Sequence, residues 1–162
     1  LMLRPDAAAH AHKRGSTSMH VSALLKRKGN DIVTVRPGDT VAAAAGVLAR
    51  HRIGAVLVSD GDGRPAGILS ERDIVRHVAT TGAGALGRPV SELMTRDLVT
   101  ITPDTTDAMA LALMSERRVR HLPVLDGDRL VGVISIGDVV KARLDDAELE
   151  VESLRGYVAG IG

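Results

Sequence analysis

Gly132-Val133-Ile134-Ser135-Ile136-Gly137-Asp138 and Gly67-Ile68-Leu69-Ser70-Glu71-Arg72-Asp73 are two copies of one pattern. Each is a glycine, two aliphatics, a serine, and an aspartate three residues beyond the serine. Each is followed by an aliphatic pair and a base, Ile74-Val75-Arg76 in one copy and Val139-Val140-Lys141 in the other. The pattern reads as a buried strand that ends at the serine and turns into a helix. A hydroxyl and a carboxylate then stand at a helix N-terminus, beside free backbone donors. Taken alone, either copy is satisfied by capping, with the aspartate favouring the helix dipole. Two copies in one context ask for more.

Outward from the first copy, Ile53 to Val58 is an almost wholly apolar strand, and Asp60-Gly61-Asp62-Gly63 is a hairpin turn. Before it, Val41 to about Arg50 has the apolar spacing of a helix on a sheet, capped by Asp39 or Thr40. Asp31-Ile32-Val33-Thr34-Val35 is a short β-branched strand stopped at Arg36-Pro37-Gly38, and Val21 to Leu25 starts a short helix. A helix from Glu71 to about Ala79 closes a β-α-β-β-α unit. The order then repeats. Val90-Ser91-Glu92-Leu93 echoes Val21-Ser22-Ala23-Leu24, and Leu98-Val99-Thr100-Ile101-Thr102-Pro103 echoes Ile32-Val33-Thr34-Val35-Arg36-Pro37, 66 residues on. A helix from Asp107 to about Glu116 and a strand from Val119 to Leu125 follow, and the serines stand 65 apart, one residue being lost at the turn Asp126-Gly127. A tandem repeat whose only gap falls in a hairpin tip is strong internal evidence. One such unit has too small a core to stand alone, so two pack together.

The expected fold is therefore mixed α/β (α+β), with two pseudo-twofold-related units packed through their sheets and a C-terminal helix. The expected divisions are a flexible tail at 1–18, units at 19–81 and 90–146, a glycine-rich linker at 82–89, and a C-terminal helix at 147–162. Met19 is expected to be the natural start. Leu144, Ala147, Val151, Leu154 and Val158 step by three and four, a short coiled-coil-like seam suited to a homodimer.

Composition excludes several classes. There is no Cys, so disulfides, thiolate metal sites and cysteine nucleophiles are out. No Phe, no Trp and a single Tyr leave no stacking platform for single-stranded nucleic acid, and a net charge of +1 indicates no broad basic face. The run Lys26-Arg27-Lys28 reads as a solvated turn, and His10 with His12 as a surface pair rather than a metal site. No apolar run reaches the length of a membrane span, no signal-peptide core opens the chain, and a cytoplasmic location is expected.

Thr34-Val35-Arg36-Pro37 with Thr100-Ile101-Thr102-Pro103, Arg120-His121-Leu122-Pro123-Val124, and the two Gly-x-x-Ser-x-x-Asp stretches together resemble a pair of CBS domains, the Bateman module, over residues 19 to 146. Ser70-Glu71-Arg72-Asp73 and the tail after residue 145 resemble the stand-alone bacterial type. The resemblance implies binding of adenosine-type ligands: AMP, ADP, ATP, NAD(H) or S-adenosylmethionine. It implies adenine on the backbone of Thr34-Val35 and Thr100-Ile101, with Ala55-Val56 and Leu122-Pro123 as walls. It implies Asp73 and Asp138 on the ribose hydroxyls and Ser70 and Ser135 on phosphate. A carboxylate accepting from two vicinal hydroxyls and an anion at a helix N-terminus are chemically reasonable.

The copies differ. Arg118, Arg120 and His121 stand where the first unit has Arg52, Gly54 and Ala55, and Arg72 stands where the second has Gly137. A cleft joining Ser70, Arg72 and Asp73 with Arg118, Arg120 and His121 is expected to be the more phosphate-rich one. The function expected is a regulatory module, an energy or redox sensor without a catalytic cofactor, acting on an unknown partner. The alternative is an interaction protein with no ligand in its clefts. An enzyme is not expected, for lack of a P-loop or a His-Glu metal pattern.

Overall fold

The computed structural model describes residues 18–29, 31–61 and 64–160; the expected tail and its histidine pair lie outside the described residues except at Ser18. The first unit runs α1 (Val21–Lys28), β1 (Thr34–Val35), α2 (Val41–His51), β2 (Ala55–Val58), β3 (Gly67–Ser70) and α3 (Glu71–Thr81). The second runs α4 (Val90–Leu93), α5 (Asp107–Arg117), β4 (His121–Asp126), β5 (Arg129–Ser135) and α6 (Ile136–Ala159). β2 and β3 form an antiparallel hairpin, and β1 lies parallel beside β2. β4 and β5 form the second hairpin, and Ile101 bridges in parallel to Val124. The first strands are shorter than expected. Prolines 37 and 103 end them, and the residues ahead of them leave the sheet.

The helices follow from their ends. Thr40 accepts from the Ala43 amide at 3.1 Å and Thr106 from the Met109 amide at 3.2 Å, so α2 and α5 start alike. Ser70 and Ser135 cap α3 and α6 with reciprocal serine–aspartate boxes. The linker is tighter than its glycines suggest. Ala83–Gly87 winds into a 3-10 turn that buries Ala85, and Leu86 packs on the first core.

The two cores exchange their opening helices. Val21, Leu24 and Leu25 of α1 are buried with Ile101, Leu122 and Ile134 of the second unit. Val90 and Leu93 of α4, with Met94, are buried with Val35, Val56 and Leu69 of the first. Matched backbone bonds fix the exchange: Val21 N–H to Thr105 O at 2.8 Å and Ser22 N–H to Pro103 O at 2.9 Å on one side, Val90 N–H to Asp39 O at 2.8 Å and Ser91 N–H to Pro37 O at 2.9 Å on the other. Each helix thus docks on the turn ahead of the other unit's α2 or α5.

The glycines that open the two motif copies are the landing places. A Cβ on Gly132 would lie 2.5 Å from Leu25 Cδ2, and one on Gly67 would lie 2.7 Å from Met94 Sδ and 2.8 Å from the Thr95 carbonyl oxygen. Asp107, 4 % exposed, adds a tie in the second unit alone. It accepts from Arg143 Nε at 2.8 Å and from the Met19 amide at 3.3 Å, joining α5, α6 and the chain ahead of α1. Burial alone would raise the Asp107 carboxyl. Arg143 and the Ala108 and Met19 amides outweigh it and hold the group below its ordinary value.

α6 continues unbroken from the second unit into the C-terminal segment. Its 24 residues span about 36 Å, and only Val139 and Ala142 are buried. Leu149, Leu154, Tyr157 and Val158 are exposed.

Gly67→Ala should destabilise the protein by about 1–3 kcal/mol in denaturant unfolding, because its clash includes a backbone oxygen that cannot swing away. Gly132→Ala should cost less, since it meets the end of a flexible leucine. Equal effects would contradict this packing.

Candidate functional site

Strand alternation decides what faces the clefts between the units. Val56 and Leu122 point into the cores, while Ala55, His121 and Pro123 face outward to cleft walls. The larger cleft, about 460 Å³, is entered by Ser70, Arg72, Asp73 and Arg76 from one side and by Arg118, Arg120 and His121 from the other. Ala55 and Pro123 lie on its wall, and Asp97, Leu98 and Val99 close one end. The smaller cleft, about 270 Å³, holds Ser135 and Asp138 with Lys28, Arg52, Ala55 and His121. Asp31, Ile32 and Val33 close its end.

The grouping expected of Ser70, Arg72, Asp73, Arg118, Arg120 and His121 is thus found in one cleft. Six expected contacts lie outside the linings of both clefts. Thr34 and Val35 line an open depression with Arg36, Asp39 and Ser59 instead of either cleft. Thr100 is exposed, and Ile101 is buried in the second core. The cause is the pairing with β2 and β4, which turns these residues away; the chain that reaches each cleft lies two or three residues earlier. Val56 and Leu122 are likewise core residues, by the alternation above. Arg76, Glu71 and Asp97 join the larger cleft, and Lys28 and Arg52 the smaller, without having been singled out. Arg76 was findable, since it stands four residues from Arg72 on one helix face. Lys28 was not, because only the exchange of α1 brings it there.

Two arginines reach the clefts from the same strained position. Arg52 and Arg118 follow α2 and α5 with φ of 52° and 53°, the left-handed region. The amides after them, Ile53 and Val119, bond back to Leu48 O at 3.1 Å and Met114 O at 3.0 Å and hold the turn. Each guanidinium is thereby aimed at a different cleft.

The two aspartates are held alike at their bases and differ beyond. Asp73 Oδ2 accepts from the Ser70 amide at 3.0 Å and the Ser70 hydroxyl at 2.8 Å. Among the described residues it has no cationic partner. Asp138 Oδ2 accepts from the Ser135 amide and from Lys28 Nζ, both at 2.7 Å. Burial pushes the Asp138 carboxyl up, but the Lys28 and Ser135 bonds overcome it, and the group titrates below its ordinary value. His121 lies against both clefts. An added Cβ on Gly54 would stand 3.2 Å from its Cε1 and Nε2, so that glycine makes room for the ring. Burial lowers the His121 titration first, and Lys28 and Arg120 lower it further against the opposing pull of Asp138.

Chemically, the larger cleft offers a carboxylate with one oxygen, Oδ1, unengaged among the described residues, a capped helix start, and four guanidiniums from two directions. That set suits a ligand with vicinal hydroxyls and phosphate. Among the described residues no group of three potential ligands could hold a metal ion, and no helix is long and apolar enough to cross a membrane.

Comparison with known proteins gives a family and a fold. The CBS domain family matches residues 21–80 and 90–145. The CBS domain-containing protein CBSX3, mitochondrial, of Arabidopsis thaliana is 33 % identical over 160 residues, covering 94 % of this chain and 78 % of that protein. The crystal structure of the CBS-domain containing protein ATU1752 from Agrobacterium tumefaciens is 48 % identical with a TM-score of 0.75, over 77 % of this chain and 99 % of that one. The CBS domain pair of protein MJ0100, in complex with 5′-methylthioadenosine and S-adenosyl-L-methionine, has a TM-score of 0.69 at 24 % identity, over 81 % of this chain and 98 % of that one.

The depressed groups set a pH response. A carboxyl lowered as Asp138 is contributes stability above its ordinary value of 3.8, lost as pH falls through its folded value. A histidine lowered as His121 is also favours the fold above its ordinary value of 6.5, and that share fades as pH falls below it. An NMR titration should place the His121 midpoint below 6.5, and Lys28→Met should raise it by removing a neighbouring positive charge. A midpoint unmoved by Lys28→Met would contradict the arrangement.

Proposed function

The chain belongs to the CBS-domain family, and we propose that it is a regulatory module binding an adenosine-type nucleotide, such as AMP, ADP, ATP or NAD(H), in the larger cleft. The observation that carries this reading is the meeting of Ser70, Arg72 and Asp73 with Arg118, Arg120 and His121 in one cavity. Asp73 takes the ribose hydroxyls, and the arginines and the start of α3 take phosphate. Ala55 and Pro123 supply apolar wall for a base. The adenosine compounds bound by the MJ0100 pair make this ligand class the first to try. The module has no catalytic step of its own. It acts in the cytoplasm as an energy or redox sensor, passing occupancy of the cleft to another protein.

The same reading makes the protein a homodimer through the exposed stripe of α6. Leu144, Leu154 and Val158 of the three-and-four seam are 60 %, 60 % and 71 % exposed, and such a stripe on a helix this long is suited to a twin. Leu154→Glu should then lower the mass measured by sedimentation; an unchanged mass would remove α6 from the interface.

With one Tyr and no Trp, the protein absorbs weakly at 280 nm, so a co-purifying nucleotide should stand out at 260 nm. Thermal-shift titration with AMP, ATP, NADH, S-adenosylmethionine and 5′-methylthioadenosine ranks the ligands, because a ligand of the folded state raises its melting point. Asp73→Ala should weaken the best of them by about 10- to 100-fold, the scale of a charge-assisted hydrogen bond. No shift with any of the five, and no 260 nm species, would remove the sensor reading.

A further inference from the structure

The two halves of this molecule allow a comparison that most binding sites do not. Leu25 and Met94 occupy equivalent places, each against the glycine that opens a motif copy. From there the chains part. α1 runs one further turn, to Lys28, whereas α4 stops at Leu93. Three residues beyond Leu25 stands Lys28, and three beyond Met94 stands Asp97. In the larger cleft, the chain after α4 pairs with β3 through Thr95 N–H to Ile68 O at 2.8 Å. In the smaller cleft the matching carbonyl, Val133 O, is taken at 3.0 Å by Lys28 Nζ. The same ammonium lies 2.7 Å from Asp138 Oδ2. The extra helical turn therefore delivers a cation onto one aspartate, and its counterpart adds an acid to the lining of the other's cleft.

We propose that Lys28 is an internal plug: it occupies the hydroxyl-accepting group of the smaller cleft, so that the protein holds one nucleotide where its repeat would hold two. This inference rests on the reading of Asp73 and Asp138 as ribose acceptors. A ligand entering the smaller cleft must share Asp138 with a lysine already bonded at 2.7 Å, in a place where Asp138 is half-buried and the pair is only partly screened. Oδ1 of Asp138 stays open among the described residues, so the plug weakens the site rather than abolishing it. Loss of a charge-assisted bond of this kind sets the handicap at about 10- to 100-fold relative to a free carboxylate. Arg27 steadies the same end of α1 by bonding Asp146 at 2.9 Å, which ties the plug to α6.

Calorimetric titration of the full chain with ATP, AMP, S-adenosylmethionine and 5′-methylthioadenosine tests this. Wild type should fill one site per chain. Lys28→Met, which keeps the aliphatic stem and drops the charge, should fill two, the second gaining about 10- to 100-fold in affinity. Lys28→Arg should remain at one. Asp73→Ala combined with Lys28→Met should retain only the smaller cleft, and adding Asp138→Ala should empty both. Two equal sites in wild type, or one site in a folded Lys28→Met protein, would overturn the plug and leave the sensor reading standing. Loss of binding in Lys28→Met would also overturn it, by making the lysine a ligand contact. Binding of none of the four by either protein would overturn the plug, and failure of NADH as well would overturn the sensor reading with it.

Discussion

The exchange of α1 and α4 is the constraint on which the rest of this structure depends. Neither repeat completes its own core. Val21, Leu24 and Leu25 fill the second, and Val90, Leu93 and Met94 fill the first. Burying three aliphatic side chains of this size contributes several kcal/mol on the usual scale, a large share of the stability of so small a unit. The exchange also sets the clefts. The chain that leaves each docked helix must cross back to its own sheet, and on the way residues 31–33 and 97–99 close the ends of the two cavities. The packing that fixes the fold is thus the packing that shapes the sites.

Much of this was legible in the sequence, and the reason is periodicity. Repeat, strand order, caps and the glycine–serine–aspartate turns all follow from local spacing, and they appear where expected. The grouping of Arg72 and Asp73 with Arg118 and Arg120 was also legible, because twofold symmetry brings matching strand ends together. The residues that lie outside the clefts do so for related reasons. Thr34, Val35, Thr100 and Ile101 belong to segments whose side-chain direction is set by pairing with β2 and β4, and Val56 and Leu122 by strand alternation. Neither is visible without the register of the sheet. Lys28 is the extreme case: it reads as one base in a solvated run, yet it lies across the chain from its own unit on Asp138. Nothing local in Lys26-Arg27-Lys28 distinguishes the last base from the others.

Symmetry of backbone and asymmetry of charge do different work here. The paired caps, the paired left-handed arginines and the mirrored backbone bonds make two cavities of one design. The side chains laid on that design differ in charge at matching places: Asp97 against Lys28, Arg72 against Gly137, and Arg120 against Gly54. A duplicated frame keeps its hydrogen bonds while its lining changes, because the β2–β3 and β4–β5 pairings are made by backbone groups and not by these side chains. His121 is the titratable side chain that lines both cavities, and Gly54 leaves the space its ring needs.

The exchange also bears on how such a pair can arise. A chain carrying a single repeat would have an open core and an opening helix with no groove of its own to fill. In two such chains each helix would find the other's groove, and a symmetric, swapped dimer would result. The short 3-10 turn at Ala83–Gly87 then amounts to a covalent seam across that dimer. Halves joined in this way need not be identical. Each is free to change without its twin, which is the freedom that a lysine on only one of two aspartates requires.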